Sequence, residues 1–310
     1  MTLSLELTVE TIEAARRKLS LPACDLAELS FTRLALERLA GALRRVPCVV
    51  VMGEVNAGKT SVANRLISAS VLPSAVVANT AVPVRVRYAA TANVSVLGSD
   101  KRYPLNSVSL DEVSDVDVQA VEVGLPEPRL KSFELIDTPA EGDLTALADE
   151  ADILVWCTTA TRAWTESERR KVMDLPARFR RSSILVATHA DALSEADGER
   201  VLERLQDMAG DLFSSIVLVN AAEERAPALQ VAGRAVPQVA ALQAKLDFLV
   251  AKFSDHRATV GRKLLRRLAR MSLQALPETP DQSEPRRDCE QAFAVLSRLA
   301  DYPDGSRRVA

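Results

Sequence analysis

Between residues 48 and 220 the chain repeats one texture, short apolar runs separated by polar or helix-patterned stretches. The runs are CVVVM (48–52), VPVRVRY (82–88), ANVSVLG (92–98), AVEVGL (120–125), FELID (133–137), DILVWCT (152–158), SILVATH (183–189) and SIVLVN (215–220). Several are continuous β-branched blocks without the apolar–polar alternation of a half-exposed strand. Strands buried on both faces need that composition, so the pattern predicts an α/β domain with a mostly parallel central sheet under crossover helices.

The two flanks carry a different period. Residues 8–46 read as two helices, the second opened by Asp25 with Glu28 three positions on, a capping-box pair ahead of Leu29, Leu36, Leu39 and Leu43. From Pro237 onward, Val239, Leu242, Leu246, Leu249, Phe253, Val260, Leu264, Leu268 and Met271 recur by three, four or seven residues. One helix over 237–276 follows, about 60 Å long at 1.5 Å per residue. The three prolines of LPETPDQSEP (276–285) break it, and a short helix is expected near 287–301. The organisation predicted is an N-terminal helical segment (1–46), an α/β domain (47–235), a long C-terminal helix (236–276), a Pro-rich linker (277–286) and a terminal helix and tail (287–310).

Composition narrows the function classes. With 39 basic and 42 acidic side chains the net charge is -3, which argues against a general polyanion binder, so no nucleic-acid partner is expected. Four cysteines (Cys24, Cys48, Cys157, Cys289) lie far apart beside only two histidines, a pattern of reduced thiols rather than of disulfides or zinc. No apolar run reaches the roughly 18 residues a bilayer span needs, and the opening MTLSLELTVETIEAARRKLS lacks a basic region followed by an apolar core. The expectation is a cytoplasmic protein. Arg262, Lys263, Arg266, Arg267 and Arg270 add a basic stripe within 257–270 that suits peripheral contact with an anionic membrane at its inner face, or else a solvated bundle face.

Chemistry concentrates in four places. Gly53-Glu54-Val55-Asn56-Ala57-Gly58-Lys59-Thr60 matches G-x-x-x-x-G-K-[ST] directly after the run CVVVM and ahead of a helical stretch that begins with Thr60 and Ser61. The glycines let backbone amides wrap a phosphate chain, Lys59 neutralises the β and γ phosphates, and Thr60 ligates magnesium. Leu135-Ile136-Asp137-Thr138-Pro139 ends a strand in an acidic residue, and beside a P-loop such an aspartate holds magnesium directly or through water. Thr188-His189-Ala190-Asp191 follows a later strand, where a carboxylate can accept from N1 and the exocyclic N2 of guanine, a pair adenine cannot offer. Asp191 could instead cap the helix that follows it. Thr80, in the polar loop before VRVRY, is the candidate that completes the magnesium shell when a γ-phosphate is present and releases it afterwards.

These residues together resemble the dynamin superfamily, and within it bacterial dynamin-like GTPases. The resemblance runs over about 48–222 and rests on GEVNAGKT, Asn64 in the following helix, the Thr80 loop, LIDTP, ADILVWCTTATRAWTESE and the T-x-x-D form of the guanine motif. It implies a P-loop GTPase domain with flanking helices, plus a helical neck or bundle from the N- and C-terminal segments, without a full stalk. Carried over by position, Lys59 and Thr80 are the catalytic pair, and Thr60, Thr80 and Asp137 are the magnesium set. Gly53, Glu54, Val55, Asn56, Ala57, Gly58, Lys59, Thr60, Ser61, Asp137, Thr188, His189 and Asp191 line the nucleotide, with Asn220 and Ala221 at the short base-contact loop. The resemblance further implies GTP and GDP as ligands, Mg2+ as cofactor, and a homodimer or a hetero-oligomer with another dynamin-like protein.

Three positions depart from the family pattern. Ala140 replaces the glycine of D-x-x-G, His189 replaces a lysine whose stem covers the guanine face, and Val55 stands where eukaryotic members place a polar residue that positions water. Two readings follow: Mg-dependent GTP binding and hydrolysis coupled to the neck and to dimerisation, or a degenerate GTPase that serves as a nucleotide-binding scaffold or partner subunit. A P-loop ATPase or kinase of another family stands as a third.

Overall fold

The computed structural model describes residues 5–19, 27–68, 82–96, 102–104, 120–139, 144–220, 229–231, 234–236, 238–275 and 294–301. They fall into two compact units, Val46–Val250 and the pair of segments Met1–Arg45 with Ala251–Ala310.

Nine strands of the first unit form one sheet: β1 (Cys48–Gly53), β2 (Val84–Tyr88), β3 (Asn93–Val96), β4 (Arg102–Pro104), β5 (Val121–Leu125), β6 (Glu134–Asp137), β7 (Ile153–Thr159), β8 (Ser183–Thr188) and β9 (Ser215–Leu218). Their order is β4-β3-β5-β2-β6-β1-β7-β8-β9. From β6 through β1, β7 and β8 to β9 every pairing is parallel, whereas β2 meets β6 antiparallel and β3 meets both β4 and β5 antiparallel. The mostly parallel α/β sheet expected from the sequence is therefore present, with an antiparallel lobe at one edge. β2 starts at Val84 rather than Val82 because Pro83 has no N–H to give a ladder. Arg102–Pro104 and the hairpin β10 (Leu229–Val231) with β11 (Arg234–Val236) were not legible as strands.

β1 explains why its sequence is apolar throughout. Val49 and Val51 enter one core with Val62, Ala63, Leu66 and Ile67 of α3 (Lys59–Ile67), while Val50 and Met52 enter the other with Trp156, Phe179, Leu205 and Phe213. Helices α4 (Leu144–Glu150), α5 (Glu166–Asp174) and α6 (Glu195–Ala209) complete the covering elements between strands. Chain order reverses across β1, whose neighbours are β6 and β7, so the crevice at the carboxyl ends of these strands is where a ligand fits in an open α/β sheet.

In the second unit α1 (Leu5–Leu19) and α2 (Ala27–Arg44) pack Ile12, Ala15, Leu19, Leu29, Leu36, Ala40 and Leu43 against Leu265, Ala269, Leu296 and Leu299. The partners Leu265 and Ala269 lie on α7 (Gln238–Ala275), a single helix of 38 residues. A Cβ on Gly261 of α7 would come within 2.9 Å of both methyls of Leu43, so the glycine permits that close approach. Leu242, Leu246, Leu249 and Val250, at the start of α7, belong instead to the core of the sheet unit. Residues 294–300 are helical, and Asp25, the expected cap of α2, lies outside the described residues.

The basic stripe on α7 needs one correction. Arg262 is 1% exposed and donates from Nη2 to Thr259 Oγ1 at 3.1 Å, because it shares the inward face with Ala258, Leu265 and Ala269. Lys263, Arg267 and Arg270 are exposed and Arg266 is half-buried. Among the described residues no helix is long and apolar enough to cross a membrane.

Candidate functional site

The loop from Gly53 to Lys59 leaves the carboxyl end of β1 and turns into α3. Two glycines are obligatory there. Gly53 has φ 151°, and a Cβ on it would lie 2.3 Å from the carbonyl oxygen of Cys157. Gly58, at φ 75°, would press a Cβ to 3.3 Å from the Thr188 side chain. Asn56 is also left-handed, at φ 62°, a conformation asparagine tolerates better than most residues. The amide of Ala57 donates to Glu54 O at 3.2 Å, which closes the loop into a concave backbone turn.

Lys59 is buried and donates from Nζ to Gly53 O at 3.2 Å and Glu54 O at 2.9 Å. Burial lowers its pKa, with Asp137 acting in the opposite sense. Thr60 Oγ1 donates to Asp137 Oδ2 at 2.9 Å across 77 residues of chain. Asp137 is 1% exposed at the end of β6, and Thr138 beyond it donates through both its amide and its hydroxyl to Val51 O. Burial pushes the Asp137 carboxyl up to about 6 from its ordinary 3.8, against the pull of Thr60 and Lys59. Its second oxygen, Oδ1, has no hydrogen-bond partner among the described residues.

That orphaned oxygen and the Thr60 hydroxyl fit a magnesium ion. No group of three or more His, Cys, Asp or Glu side chains that could hold a metal occurs among the described residues. Magnesium does not need one, since it is ordinarily held by one or two protein oxygens with water and phosphate oxygens completing its shell.

The base loop stands beside the phosphate loop. Thr188, fully buried at the end of β8, lies with Oγ1 3.0 Å from Ala57 O, 3.2 Å from Thr158 O and 2.9 Å from His189 Nδ1. His189 is left-handed at φ 57° and opens the turn Ala190–Ala192, which carries an exposed Asp191. The alternative role of Asp191 as a helix cap does not hold. Ser194 caps α6 by accepting from the Asp197 amide at 3.2 Å. The amide of Ala190 points at Val219 O at 3.5 Å, which brings Asn220, just beyond β9, to the same end of the sheet.

Thr80, Ala140 and Ala221 lie outside the described residues. Ser61 is half-buried in the first turn of α3, and Val55 is 58% exposed on the phosphate loop. One participant had escaped the sequence reading. Glu54 Oε1 accepts from Ser167 Oγ at 2.5 Å and lies 3.6 Å from Lys171 Nζ, so α5 clasps the phosphate loop from the side. Thr165 and Glu168 form the capping box that starts α5, and Glu168 also accepts from Trp156 Nε1 at 3.3 Å. The T-x-x-E spacing in TESE was the available signal.

A family model of the dynamin family matches residues 49–190, the stretch that holds the phosphate loop, Asp137 and Thr188. Dynamin-like protein 2 of Campylobacter jejuni is 24% identical over 203 residues, 61% of this chain and 33% of its own length. A solved oligomerised bacterial dynamin pair, described in connection with long-range sensing and tethering of membranes, superposes with TM-score 0.56 at 17% identity, over 87% of this chain and 55% of the other. A second solved chain of such a pair gives the same TM-score and identity over 56% of its length. At that identity the likeness is one of fold. The chain spans a third to just over half of these relatives' lengths. Its sheet unit matches the fold of a dynamin-type GTPase domain, accompanied by helices from both ends of the chain.

Proposed function

We propose that the dynamin-type head binds GTP with Mg2+ in the crevice above β1 and hydrolyses it. The observation that carries this reading is the convergence of Lys59, Thr60, Asp137 and Thr188, with Asp191 next along the chain, at one end of the sheet. Lys59 exchanges the carbonyls of Gly53 and Glu54 for phosphate oxygens, and the amides of the loop and of the first turn of α3 orient the chain of phosphates. When bound, magnesium would supply positive charge to offset the negative charge that develops on the phosphate oxygens. Thr60 and Asp137 are the side chains that hold it, with Thr80 as the nucleotide-sensitive member. Asp191 accepts from guanine N1 and N2, with His189 and the Asn220-Ala221 loop around the base. Water attacks the γ-phosphorus and GDP leaves, without a covalent intermediate, so positioning and electrostatics supply the catalysis.

Around this chemistry we place dimerisation of heads or pairing with another dynamin-like chain, coupling to the helical neck, and a peripheral membrane contact through Lys263, Arg267 and Arg270. The test is phosphate release at several protein concentrations for the wild type and Lys59→Ala. Turnover per molecule that rises with concentration and disappears in Lys59→Ala supports the reading, and ATP hydrolysed as readily as GTP defeats it.

A second reading, nucleotide held by a scaffold or partner subunit without turnover, is favoured by Val55, an exposed apolar side chain at the phosphate-loop position where a polar one would orient water. Intact GTP affinity with negligible phosphate release at the highest protein concentration selects it.

A further inference from the structure

The three neighbours of Thr188 Oγ1 decide where protons lie. A threonine hydroxyl has one proton and two lone pairs. Ala57 O and Thr158 O, at 3.0 and 3.2 Å, are carbonyls and can only accept. The single hydroxyl proton then goes to a carbonyl, Ala57 O being the nearer, and the remaining contact, 2.9 Å from His189 Nδ1, is satisfied when the imidazole donates. An imidazole that carries its proton on Nδ1 meets that requirement. The left-handed backbone of His189 and this bond fix the ring at the entrance of the turn that carries Asp191.

We propose that His189 is a positioning residue for the base, joined by the chain Nδ1–H to Thr188 Oγ1 to Ala57 O to the loop that holds the phosphates. This rests on reading the crevice as a guanine-nucleotide site. The hydrogen-bond chain makes recognition of the base and shape of the phosphate loop one coupled event. A lysine at this position would have no such fixed donor beside Thr188, so the coupling is particular to this histidine. Thr188 also packs against Gly58, which ties the same side chain to the second glycine of the loop.

The tautomer is tested directly by long-range 1H–15N NMR of the neutral imidazoles in the full chain. The chain has two histidines, so His256→Gln assigns the spectrum. A protonated Nδ1 on His189 is expected, and a protonated Nε2 overturns the proposal.

Binding supplies the second arm, with GTP and with inorganic tripolyphosphate as probes. His189→Phe keeps a ring and removes the donor, and Thr188→Val removes the hydroxyl at the same shape. Each is expected to weaken GTP binding about tenfold, the size of one lost hydrogen bond. Because both break one chain, the double variant is expected to stay near about tenfold rather than the roughly hundredfold of independent effects. Tripolyphosphate, which has no base, is expected to weaken about threefold in either variant through the phosphate loop alone. His189→Asn, whose amide can donate and which tolerates a left-handed backbone, restores binding to within about threefold of wild type. Multiplicative losses, or no rescue by asparagine, overturn the proposal. Wild-type protein that shows the Nδ1–H signature yet binds no guanine nucleotide defeats the nucleotide reading itself, and the base-positioning role falls with it.

Discussion

Asp137→Asn tests the site through its effect on stability. A carboxyl whose pKa rises from 3.8 to about 6 on folding disfavours the folded protein whenever it is ionised. The size follows from about 1.4 kcal/mol per pH unit, giving about 3 kcal/mol at pH 8. Below 3.8 both states are protonated and the cost is absent. It grows as pH rises through the folded value near 6, so it is about half complete at pH 5 and full by pH 8. Asparagine keeps an oxygen for Thr60 Oγ1 and carries no charge, although it forfeits the attraction to Lys59. The nucleotide-free variant is therefore expected to be more stable than wild type by about 1–3 kcal/mol at pH 8, and by less at pH 5. With Mg-GTP the difference narrows, since wild type gains about 2.7 kcal/mol at a hundred times Kd and the variant, short of a magnesium ligand, gains less. Tryptophan emission during denaturant unfolding reports the relevant unit, because both tryptophans, Trp156 and Trp164, are buried within Val46–Val250. A variant less stable than wild type at pH 8 without nucleotide, or a difference that does not change between pH 5 and pH 8, refutes the reasoning.

Gly58→Ala forces a side chain into a left-handed position beside Thr188 and should cost about 1–2 kcal/mol of stability by denaturant titration, together with most of the GTP affinity. Gln243 Nε2 donates to Arg65 O at 2.8 Å, and Arg129 Nε donates to Leu66 O at 2.9 Å while its Nη2 meets Asp247 at 2.7 Å, so both hold the last turn of α3. Alanine at either position should lower stability by about 1 kcal/mol and speed hydrogen exchange in α3 more than in α6; equal rates would show that the contacts are idle. Thr165→Ala removes the capping box of α5 at a cost of about 1 kcal/mol and should loosen the Glu54 clasp, read as a several-fold rise in the KM for GTP.

What the sequence disclosed, and what it hid, follows from distance along the chain. β1, β7 and β8 were legible because burial on both faces demands unbroken apolar residues, and the phosphate loop because its glycines act within eight residues. The edge strand Arg102–Pro104 carries no apolar signal, since three residues at the rim of a sheet need none. Contacts such as Thr188 with Ala57, 131 residues apart, exist only once the sheet order is known. α7 shows a related limit. Its period announces one helix, but nothing in that period says that Leu242, Leu246 and Leu249 serve the sheet while Leu265 and Ala269 serve the bundle. Arg262 read as part of a charged stripe, although the spacing Ala258, Arg262, Leu265, Ala269 places it on the buried face.

The proposed function turns on recognition of guanine by Asp191. Asp191→Asn leaves an oxygen to accept from base N1 and converts the other contact from acceptor to donor, which suits the C2 carbonyl of xanthine and not the amino group of guanine. The decisive measurement is therefore competitive binding of GTP, ATP and xanthosine triphosphate, in magnesium, to wild type and Asp191→Asn. Wild type is expected to prefer GTP, and the variant to lose GTP at least about tenfold while gaining xanthosine triphosphate. A variant that keeps wild-type GTP affinity, or a wild type that binds ATP as well as GTP, contradicts it.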